Sequence, residues 1–391
     1  MKKITLLLFS FISTSLAFAQ CLTTDDANNT ISSCQYGNWN IGKDDESTSN
    51  IITVQAQKWT VTIFNSIIYP AILKTKGLRG SWSAAVKIST DDGLCPYRLY
   101  SIMQELGCNK NKKLYEKEES GIIIEFGINT LYKIAQAMQH EEYILVKKSK
   151  EKITVYDKLN GRQLYLLNQP TASEQFGAFA YYRKEVDGSK NILIAKEGIP
   201  VFMPVTIKDV LLRIKNNYAY ELNYENTTYT DFINLGVEGY LKQADLTNVE
   251  QSSGKEVAEK LKAELKIDYE KQVIVYKKMV EDNPIKKWIT IIDNYLKKSS
   301  IIQLTKPCIV SREIFITDDY PITDALFLDS PADGMQYITI NSAYANKKNP
   351  TTPQFVVMHT TINAKSAVSL SAKKTFEDNV DFQKLRAILA K

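Results

Sequence analysis

The longest regular pattern of apolar and polar positions lies between Ser252 and Lys298. It contains two runs of apolar residues spaced three or four positions apart, and this spacing places side chains on one face of a helix. Pro284 lacks an amide hydrogen and suits the first turn of a helix, so a break is predicted at Asn283–Pro284. The two stripes are Val257, Leu261, Leu265, Tyr269, Val273, Tyr276 and Val280, then Ile285, Trp288, Ile289, Ile292, Tyr295 and Leu296.

Short segments rich in β-branched and aromatic residues predict strands on both sides of this helical region. The dipeptides Asn160-Gly161 and Asp187-Gly188 are typical of tight turns between neighbouring antiparallel strands. Three or four strands in the middle of the chain are therefore expected to form one meander. The predicted strands are Ile122–Phe126, Tyr143–Val146, Ile153–Asp157, Gln163–Leu167, Phe179–Val186, Asn191–Lys196, Cys308–Ile316, Met335–Ala343 and Phe355–Asn363.

The remaining segments carry less regular patterns. Pro96–Gly107 has Pro where helices often begin and Gly where they often end, with apolar residues on one helical face, so we predict a helix. Ile51–Ile68 is rich in β-branched residues and favours a strand, with a helix over Trp59–Ile68 as the alternative. Helices are also predicted at Asn129–Gln139, Ile207–Asn216 and Asp381–Ala390, and a loop-dominated joint at Tyr218–Val249.

Together these elements predict an α+β fold: an antiparallel β-meander with packed helices, a long helical segment and a β-rich C-terminal part. The predicted ranges are 1–19 for a signal peptide, 20–50 for a polar segment, 51–250 for an α+β domain, 251–300 for the helical unit and 301–391 for a β-rich C-terminal domain. The alternative is that both β regions belong to one sheet, which would make a single large domain.

The N-terminus has the form of a secretory signal peptide. Lysines precede an apolar run that ends at Leu16, and Ala17-Phe18-Ala19 fits the small-x-small cleavage pattern. The run is too short to span a bilayer comfortably. We therefore predict export with cleavage near Ala19, a periplasmic or extracellular location and no transmembrane segment in the mature chain. The alternative, a lipoprotein anchored at Cys21, is disfavoured because Gln20 stands where such signals carry a small residue.

The charge of the chain argues against nucleic acid as a partner. The sequence has 49 basic and 44 acidic residues, a net charge of +5, and signal removal takes away two lysines. The other lysines cluster only in short groups among Asn, Ser and Glu, whereas nucleic-acid-binding domains present a dominant basic face. We therefore expect no nucleic-acid partner.

Five cysteines remain after signal removal, and export permits disulfides between them. Cys21 and Cys34 enclose a polar segment and are able to close a small loop. Cys95 and Cys108 lie at the two ends of the predicted helix, which separates them by about 20 Å. A disulfide needs Cα atoms closer than about 7 Å, so the predicted helix excludes a bridge between these two residues.

The candidate catalytic residues are Cys308 and His359, each on a predicted strand in the last third of the chain. A thiolate beside an imidazole is an activated nucleophile, so this pair is the basis for a cysteine hydrolase hypothesis. The structural alternatives are a buried or disulfide-bonded Cys308 and an ordinary strand histidine. No family-type signature surrounds either residue.

Other chemical motifs are incomplete. His140-Glu141-Glu142 begins like a zinc-protease motif, but Ile144 stands where its second histidine belongs. Aspartates near Asp91 and Asp318 offer hard oxygen ligands, yet their spacing lacks the order of a calcium loop and suits turns better. Paired carboxylates of a glycosidase come from distant strands and leave no spacing signal. We predict no metal and no cofactor.

The segment from Asn191 to Leu212 has a strand, a Gly-x-Pro turn at Gly198-Ile199-Pro200, a second extended piece ending in Pro204-Val205-Thr206, and a capped helix. In this order it resembles a segment of uncharacterised exported proteins of Bacteroidota, and the Ala-Gln ending of the signal peptide is also similar to theirs. Ile207 departs from the basic residue expected at its position. The resemblance implies origin and export, but no chemistry.

The function predicted from these observations is an exported, non-catalytic binding or structural protein of the cell envelope. Its partner is expected to be an envelope protein or a glycan, because the 22 tyrosines offer aromatic surfaces for sugar or peptide. The first alternative is a secreted hydrolase using Cys308 and His359. The second is an assembly component whose long helix, within Ser252–Val280, presents its apolar stripe to a partner.

Overall fold

The computed structural model describes residues 24–31, 33–41, 49–86, 93–118, 121–131, 133–137, 145–146, 152–153, 158–159, 162–167, 175–176, 179–184, 190–311, 322–330, 334–362 and 366–389. The chain divides into two compact units. The nine-strand unit comprises Met1–Ile134, Thr171–Val201 and Ser342–Lys391, and the six-strand unit comprises Ala135–Pro170 and Phe202–Asn341. The fold is α+β, as predicted.

The helices are Thr24–Asn29 (α1), Ser49–Ile63 (α2), Tyr69–Ile72 (α3), Ile207–Gln243 (α4), Leu246–Ser253 (α5), Lys255–Glu281 (α6), Pro284–Lys298 (α7), Ile301–Thr305 (α8), Ala367–Asn379 (α9) and Phe382–Leu389 (α10). A π-helical turn occupies Phe64–Ile68, and short 3₁₀ helices occupy Asp324–Leu326 and Ser342–Tyr344.

The strands are Ser33–Ile41 (β1), Leu78–Val86 (β2), Tyr97–Cys108 (β3), Leu114–Glu116 (β4), Ile122–Ile128 (β5), Ala135–Ala137 (β6), Leu145–Val146 (β7), Lys152–Ile153 (β8), Lys158–Leu159 (β9), Arg162–Leu167 (β10), Gln175–Phe176 (β11), Phe179–Lys184 (β12), Lys190–Ile194 (β13), Phe202–Pro204 (β14), Ile309–Val310 (β15), Met335–Ile340 (β16) and Val356–Ile362 (β17).

The nine-stranded sheet has the order β1-β2-β3-β5-β17-β13-β12-β11, and β4 pairs with β3. β1 and β2 are parallel, and the other described pairs of this sheet are antiparallel. Helices α2, α9 and α10 pack on one face through a continuous apolar core. Its centre is a chain of aromatic contacts in which Trp82 meets Phe126 at 6.1 Å and Phe126 meets Phe376 at 6.4 Å.

The six-stranded sheet has the order β14-β16-β10-β6, with β15 on β16 and β9 on β10. The first turns of α4 pack on it through Val210, Leu211 and Ile214, and α7 adds Ile292 to the same core. Thr206 caps α4, because its hydroxyl accepts a hydrogen bond from the Asp209 amide at 3.2 Å. The predicted capped helix after Asn191–Pro204 is confirmed.

The predicted helix at Pro96–Gly107 is wrong, because this segment forms the central strand β3. Its side chains alternate, so that Leu99, Ser101 and Met103 are buried while Ile102 is 57% exposed. Strands β2 and β5 pair with it on both sides and satisfy its backbone, which a helix in this place would not allow. Cys95 is a thiol and is not bridged to Cys108. The absence of this bridge was predicted, but the element that separates the two residues is the extended strand β3 and not a helix.

The predicted strand at Ile51–Ile68 is also wrong, and the alternative helix over Trp59–Ile68 is found, extended toward the N-terminus, as α2 and the π-helical turn. Ala56, Thr60, Ile63 and Ile67 are buried at helical spacing against the large sheet. The β-branched residues therefore follow the helical period. In this segment, packing against the sheet outweighs their intrinsic preference for strands.

Two further predictions fail in the middle of the chain. Asn129, expected in a helix, has a φ of 57° and holds a buried loop, donating to the carbonyl oxygens of Pro350 and Thr352 and accepting from the Gln354 amide. Tyr218–Val249, expected as a loop, is mostly helical: it continues α4 to Gln243, where aromatic side chains pack against α6, and then enters α5. The helices α6 and α7 with their break at Asn283–Pro284 are confirmed, as is the C-terminal helix α10.

The division into units differs from the predicted ranges because strands from the last third of the chain enter both sheets. β17 lies between β5 and β13 in the nine-stranded sheet, while β16 pairs with β10 in the other. The predicted strands at Gln163–Leu167 and Phe179–Val186 therefore belong to different sheets instead of one meander. A C-terminal range beginning at residue 301 does not form a separate body.

No helix in the described ranges is both long and apolar enough to cross a membrane.

A buried ion pair joins two turns of α9 to the large sheet. Lys373 Nζ lies 3.0 Å from Glu377 Oε1, with side-chain exposures of 7% and 5%. The Thr360 hydroxyl donates to the same carboxylate at 3.3 Å. One position further along the same helix, Lys374 and Asp378 form a pair at the surface, with exposures of 76% and 51%.

We expect Glu377→Ala to lower the free energy of unfolding by about 3–5 kcal/mol, because the buried Lys373 ammonium loses its carboxylate. Asp378→Ala is the matched control and should lower it by less than about 1 kcal/mol. Urea denaturation followed by circular dichroism measures both. If both substitutions lowered the free energy of unfolding equally, the stabilising role of the buried Lys373–Glu377 pair would be contradicted.

Candidate functional site

Cys308 lies in the core of the six-strand unit, immediately before β15. Its side chain is fully buried, its amide donates to the Val205 carbonyl at 2.8 Å and its carbonyl accepts from the Tyr337 amide at 2.8 Å. Burial raises the pKa of its thiol well above the ordinary value. A buried thiol that resists ionisation is a poor nucleophile at neutral pH.

His359 lies on β17 of the nine-strand unit and is 3% exposed. Its Nδ1 is 2.7 Å from Asn191 Oδ1 on the neighbouring strand, and its Nε2 is 2.7 Å from the Thr361 hydroxyl. Both ring nitrogens are thus engaged by polar groups of the same sheet. These contacts are typical of a structural histidine, whose hydrogen-bonding groups are paired with side chains of its own sheet.

The structure places Cys308 and His359 in different units and gives each of them partners inside its own unit. The other two thiols are also buried: burial raises the pKa of Cys34 to about 12, opposed by a hydrogen bond with Ser101, and that of Cys95 to about 11. Cys34 is a thiol, so the predicted loop closed by Cys21 and Cys34 is wrong.

Within the described residues, no group of three or more His, Cys, Asp and Glu side chains converges on a common point. His140, Asp91 and Asp318 lie outside the described residues.

A concave site is found elsewhere, on the six-strand unit. We call it the α7 cleft; it has a volume of about 620 Å³, within the usual range of small-molecule sites. Its walls come from the second half of α7, the start of α8 and a short segment before and within the 3₁₀ helix Asp324–Leu326. The lining residues are Ile291, Asn294, Tyr295, Lys298, Ser299, Ser300, Gln303, Ile322, Thr323 and Asp324.

Helical geometry explains why α7 contributes a whole wall. Residues 291, 294, 295 and 298 are three, four and seven positions apart and therefore share one face. An adjoining stripe of the helix carries Ile285 and Ile292, which are buried, and Trp288, which packs against Tyr218 at 5.2 Å. Ile291 and Tyr295 lie where this stripe meets the cleft wall, and both also pack against the core of the six-strand unit.

Two residues with extended backbone, Ser299 and Ser300, separate α7 from α8. The helix ends at Lys298, and the Ser300 hydroxyl caps α8 by accepting a hydrogen bond from the Gln303 amide at 3.1 Å. This short connection brings Ser299, Ser300 and Gln303 back over the face of α7. Hydroxyl and amide groups therefore converge on the ring of Tyr295.

Tyr295 is the most firmly positioned side chain of the cleft. Its hydroxyl donates to Asp324 Oδ1 at 2.7 Å, and its ring packs against Phe327 at a centroid distance of 5.6 Å. Burial and the hydrogen bond to Asp324 raise its pKa, while Ser299 and Gln303 act in the opposite direction. Tyr295 is accordingly a neutral phenol at physiological pH, with its ring fixed before any ligand arrives.

The lining combines one aromatic ring, two side-chain amides, three hydroxyls, one ammonium and one carboxylate over a small apolar floor. Such a set suits a polar ligand with many hydroxyl groups. Glycoside hydrolysis normally needs two carboxylates across the scissile bond, and Asp324 is the only carboxylate among the described lining residues. The described lining offers hydrogen-bonding groups and an aromatic ring to a polar ligand.

The chain matches no family model, no curated protein and no solved structure.

Sequence reasoning did not find the α7 cleft. It identified the apolar face of α7, including Tyr295, but assigned no role to the rest of this helix. The missing information was the approach of Ile322, Thr323 and Asp324, which are separated from α7 by more than twenty positions in the chain. Ser299-Ser300, directly after a helix with two terminal lysines, is the only local sign of the break between α7 and α8.

We expect Cys34, Cys95 and Cys308 to react with iodoacetamide at least about 100-fold more slowly in the folded protein than in urea, because burial suppresses the thiolate. Mass spectrometry of timed samples measures each site. His359→Gln should leave the Cys308 rate unchanged. A fast reaction of native Cys308 that slows in His359→Gln would restore the hydrolase alternative.

Proposed function

We propose that this protein is an exported, non-catalytic binding protein of the cell envelope, and that the α7 cleft binds a glycan. The observation that carries the proposal is the convergence of Tyr295 with the amide and hydroxyl groups of Asn294, Ser299, Gln303 and Thr323. The signal peptide pattern supports a location at which envelope glycans are accessible.

The chemistry of the lining suits sugars in two complementary ways. Amide and carboxylate groups exchange pairs of hydrogen bonds with neighbouring sugar hydroxyls, because they carry donors or acceptors side by side. The apolar faces of a sugar ring pack on an aromatic ring, which Tyr295 supplies. A cleft with only apolar lining would favour a lipid, and one with only basic lining would favour a polyanion.

The charges in the cleft define the ligand further. Lys298 and Asp324 contribute one positive and one negative group. A ligand with a large charge of either sign would be repelled by one of them, so a neutral or zwitterionic oligosaccharide fits best.

The cleft is organised before ligand binding. Tyr295 is held by Asp324 and Phe327, and the Ser300 cap fixes the start of α8. Side chains that are already ordered lose little conformational entropy on association, which favours measurable affinity for a small ligand.

The other two functional alternatives are less well supported. The predicted apolar stripe of α6 packs within the same unit: Tyr269 is 5% exposed and its ring lies 5.2 Å from Phe232 of α4. The middle of this stripe is therefore covered within the unit, whereas Val257 at its start is 48% exposed. The Cys308–His359 hydrolase has no observation in its favour.

To test the proposal, the mature protein is screened against an array of bacterial envelope and plant or algal oligosaccharides, and hits are measured by calorimetry. Tyr295→Ala should weaken the best hit at least 10-fold, because the stacking surface is lost. Asn294→Ala should weaken it about 5- to 10-fold through lost hydrogen bonds.

Lys297→Ala is the matched control, because Lys297 neighbours Lys298 on α7 but is not among the residues that line the cleft. It should bind as the unmodified protein does. Absence of any glycan bound more tightly than millimolar, or unchanged affinity in Tyr295→Ala and Asn294→Ala, would overturn the proposal. Binding of an envelope protein that neither cleft substitution affects would also overturn it.

A further inference from the structure

Two adjacent isoleucines at the start of α8 are the most exposed large apolar side chains in the described part of the chain. Ile301 is 80% exposed and Ile302 is 78% exposed. A single exposed isoleucine is ordinary on a protein surface, whereas two neighbouring ones on an ordered element indicate a contact surface. We propose that Ile301, Ile302 and Thr305, which we call the α8 patch, dock on a membrane whose lipids carry negative charge.

The α8 patch lies on a helix that is fixed at both ends. At the start, the Ser300 hydroxyl caps the helix by accepting from the Gln303 amide. At the end, the Lys306 carbonyl accepts from the Ile207 amide of α4 at 3.0 Å. Leu304 is the buried residue of this helix and packs in the core of the six-strand unit. With Leu304 directed inward, the isoleucines lie on the outer side of α8.

The polar groups on the outer side of α8 are already paired. Thr305 is exposed, and its hydroxyl donates to the Ile301 carbonyl at 2.9 Å and to the Ile302 carbonyl at 3.2 Å. A polar group that leaves water for lipid must keep a hydrogen-bond partner, because an unpaired one is costly in an apolar medium. The Thr305 hydroxyl therefore does not oppose insertion of the neighbouring isoleucines.

The charge around the α8 patch identifies the kind of surface that it fits. Residues 294–309 contain three lysines and no Asp or Glu. Lys306 is paired with Asp329 at 3.0 Å, so the excess positive charge comes from Lys297 and Lys298, which are both exposed. Lysines beside inserted apolar side chains keep their ammonium groups at the lipid phosphates and favour anionic membranes.

The same charge disfavours a second copy of the chain as the occupant of the α8 patch. Two copies facing each other through this patch would bring Lys297 and Lys298 of both chains together, and like charges across an interface are repulsive. An anionic membrane offers an apolar interior and negative headgroups in the same place. It therefore complements both the isoleucines and the lysines.

Docking through the α8 patch has a consequence for the α7 cleft. Ser300 and Gln303 line the cleft and flank the two isoleucines in the chain. They lie within about one helical turn, about 5 Å along the axis, of the patch. The cleft then meets the membrane surface, and its ligand is a glycan carried close to the lipid headgroups. This consequence rests on the proposed glycan site, whereas the docking itself does not.

The test mixes the mature protein with vesicles that contain phosphatidylglycerol and phosphatidylethanolamine in equal parts, and with vesicles of phosphatidylcholine alone. Sedimentation of the vesicles measures the bound fraction. We expect binding to the anionic vesicles, and weaker binding when the NaCl concentration rises from about 0.1 M to about 0.5 M. Ile301→Ser/Ile302→Ser should weaken it at least about 10-fold through lost apolar burial. Lys297→Gln should weaken it about 5-fold.

Ile267→Ser/Ile274→Ser is the matched control, because these isoleucines of α6 are 53% and 70% exposed and also have lysine neighbours. It should bind the anionic vesicles as the unmodified protein does. Failure to bind these vesicles, equal binding to phosphatidylcholine, or equal losses in both double variants would overturn the inference. A dimer that dissociates in Ile301→Ser/Ile302→Ser, without any vesicle binding, would assign the patch to a second copy and also overturn it.

The vesicles carry no sugar, so their binding is independent of the glycan site. Ile301→Ser/Ile302→Ser should leave the affinity for a soluble oligosaccharide unchanged, because neither isoleucine lines the cleft. Loss of vesicle binding with intact oligosaccharide binding is therefore the signature expected of the α8 patch. Loss of both in this variant would contradict a separate docking surface.

Discussion

The six-strand unit depends on the junction at Asn283, where α6 ends and α7 begins. Asn283 is 2% exposed; its oxygen accepts from the Ile285 amide at 3.0 Å, and its amide nitrogen donates to Glu225 of α4 at 2.7 Å. One side chain therefore caps α7 and fixes its start to α4. Because α7 has one buried face, fixing its start also determines which residues line the α7 cleft.

Four tyrosines, Tyr229, Tyr240, Tyr269 and Tyr276, help to join α4 to α6. Tyr229 stacks on Tyr276 at 4.8 Å, and the Tyr269 hydroxyl donates to the Ile233 carbonyl at 2.8 Å near the kink at Gly236. Aromatic rings fill the space between two helices without the support of a sheet. These four tyrosines therefore have a structural role, and among the described lining residues of the cleft the tyrosine is Tyr295.

The sequence predicts those elements whose apolar pattern spans several turns and whose ends are marked by residues that start or stop a helix. The two stripes around Asn283–Pro284 were sufficient for α6 and α7, because several turns of helix share one period. Segments such as Pro96–Gly107 and Ile51–Ile68 are short, and their apolar residues fit both the helical and the strand period. Their structure is determined by packing against segments that are distant in the chain. The same limit applies to sites. The environment of His359 depends on Asn191, and the position of the Tyr295 ring depends on Asp324, yet no local sequence pattern links the two residues of either pair.

The central claim is that the α7 cleft is the ligand-binding site. The most direct measurement is hydrogen–deuterium exchange of the mature protein with and without a saturating oligosaccharide. We expect slower exchange in peptides that cover residues 291–303 and 322–324, with the exchange of the nine-strand unit unchanged. Protection located only in the nine-strand unit, or nowhere while the glycan is bound, would contradict it.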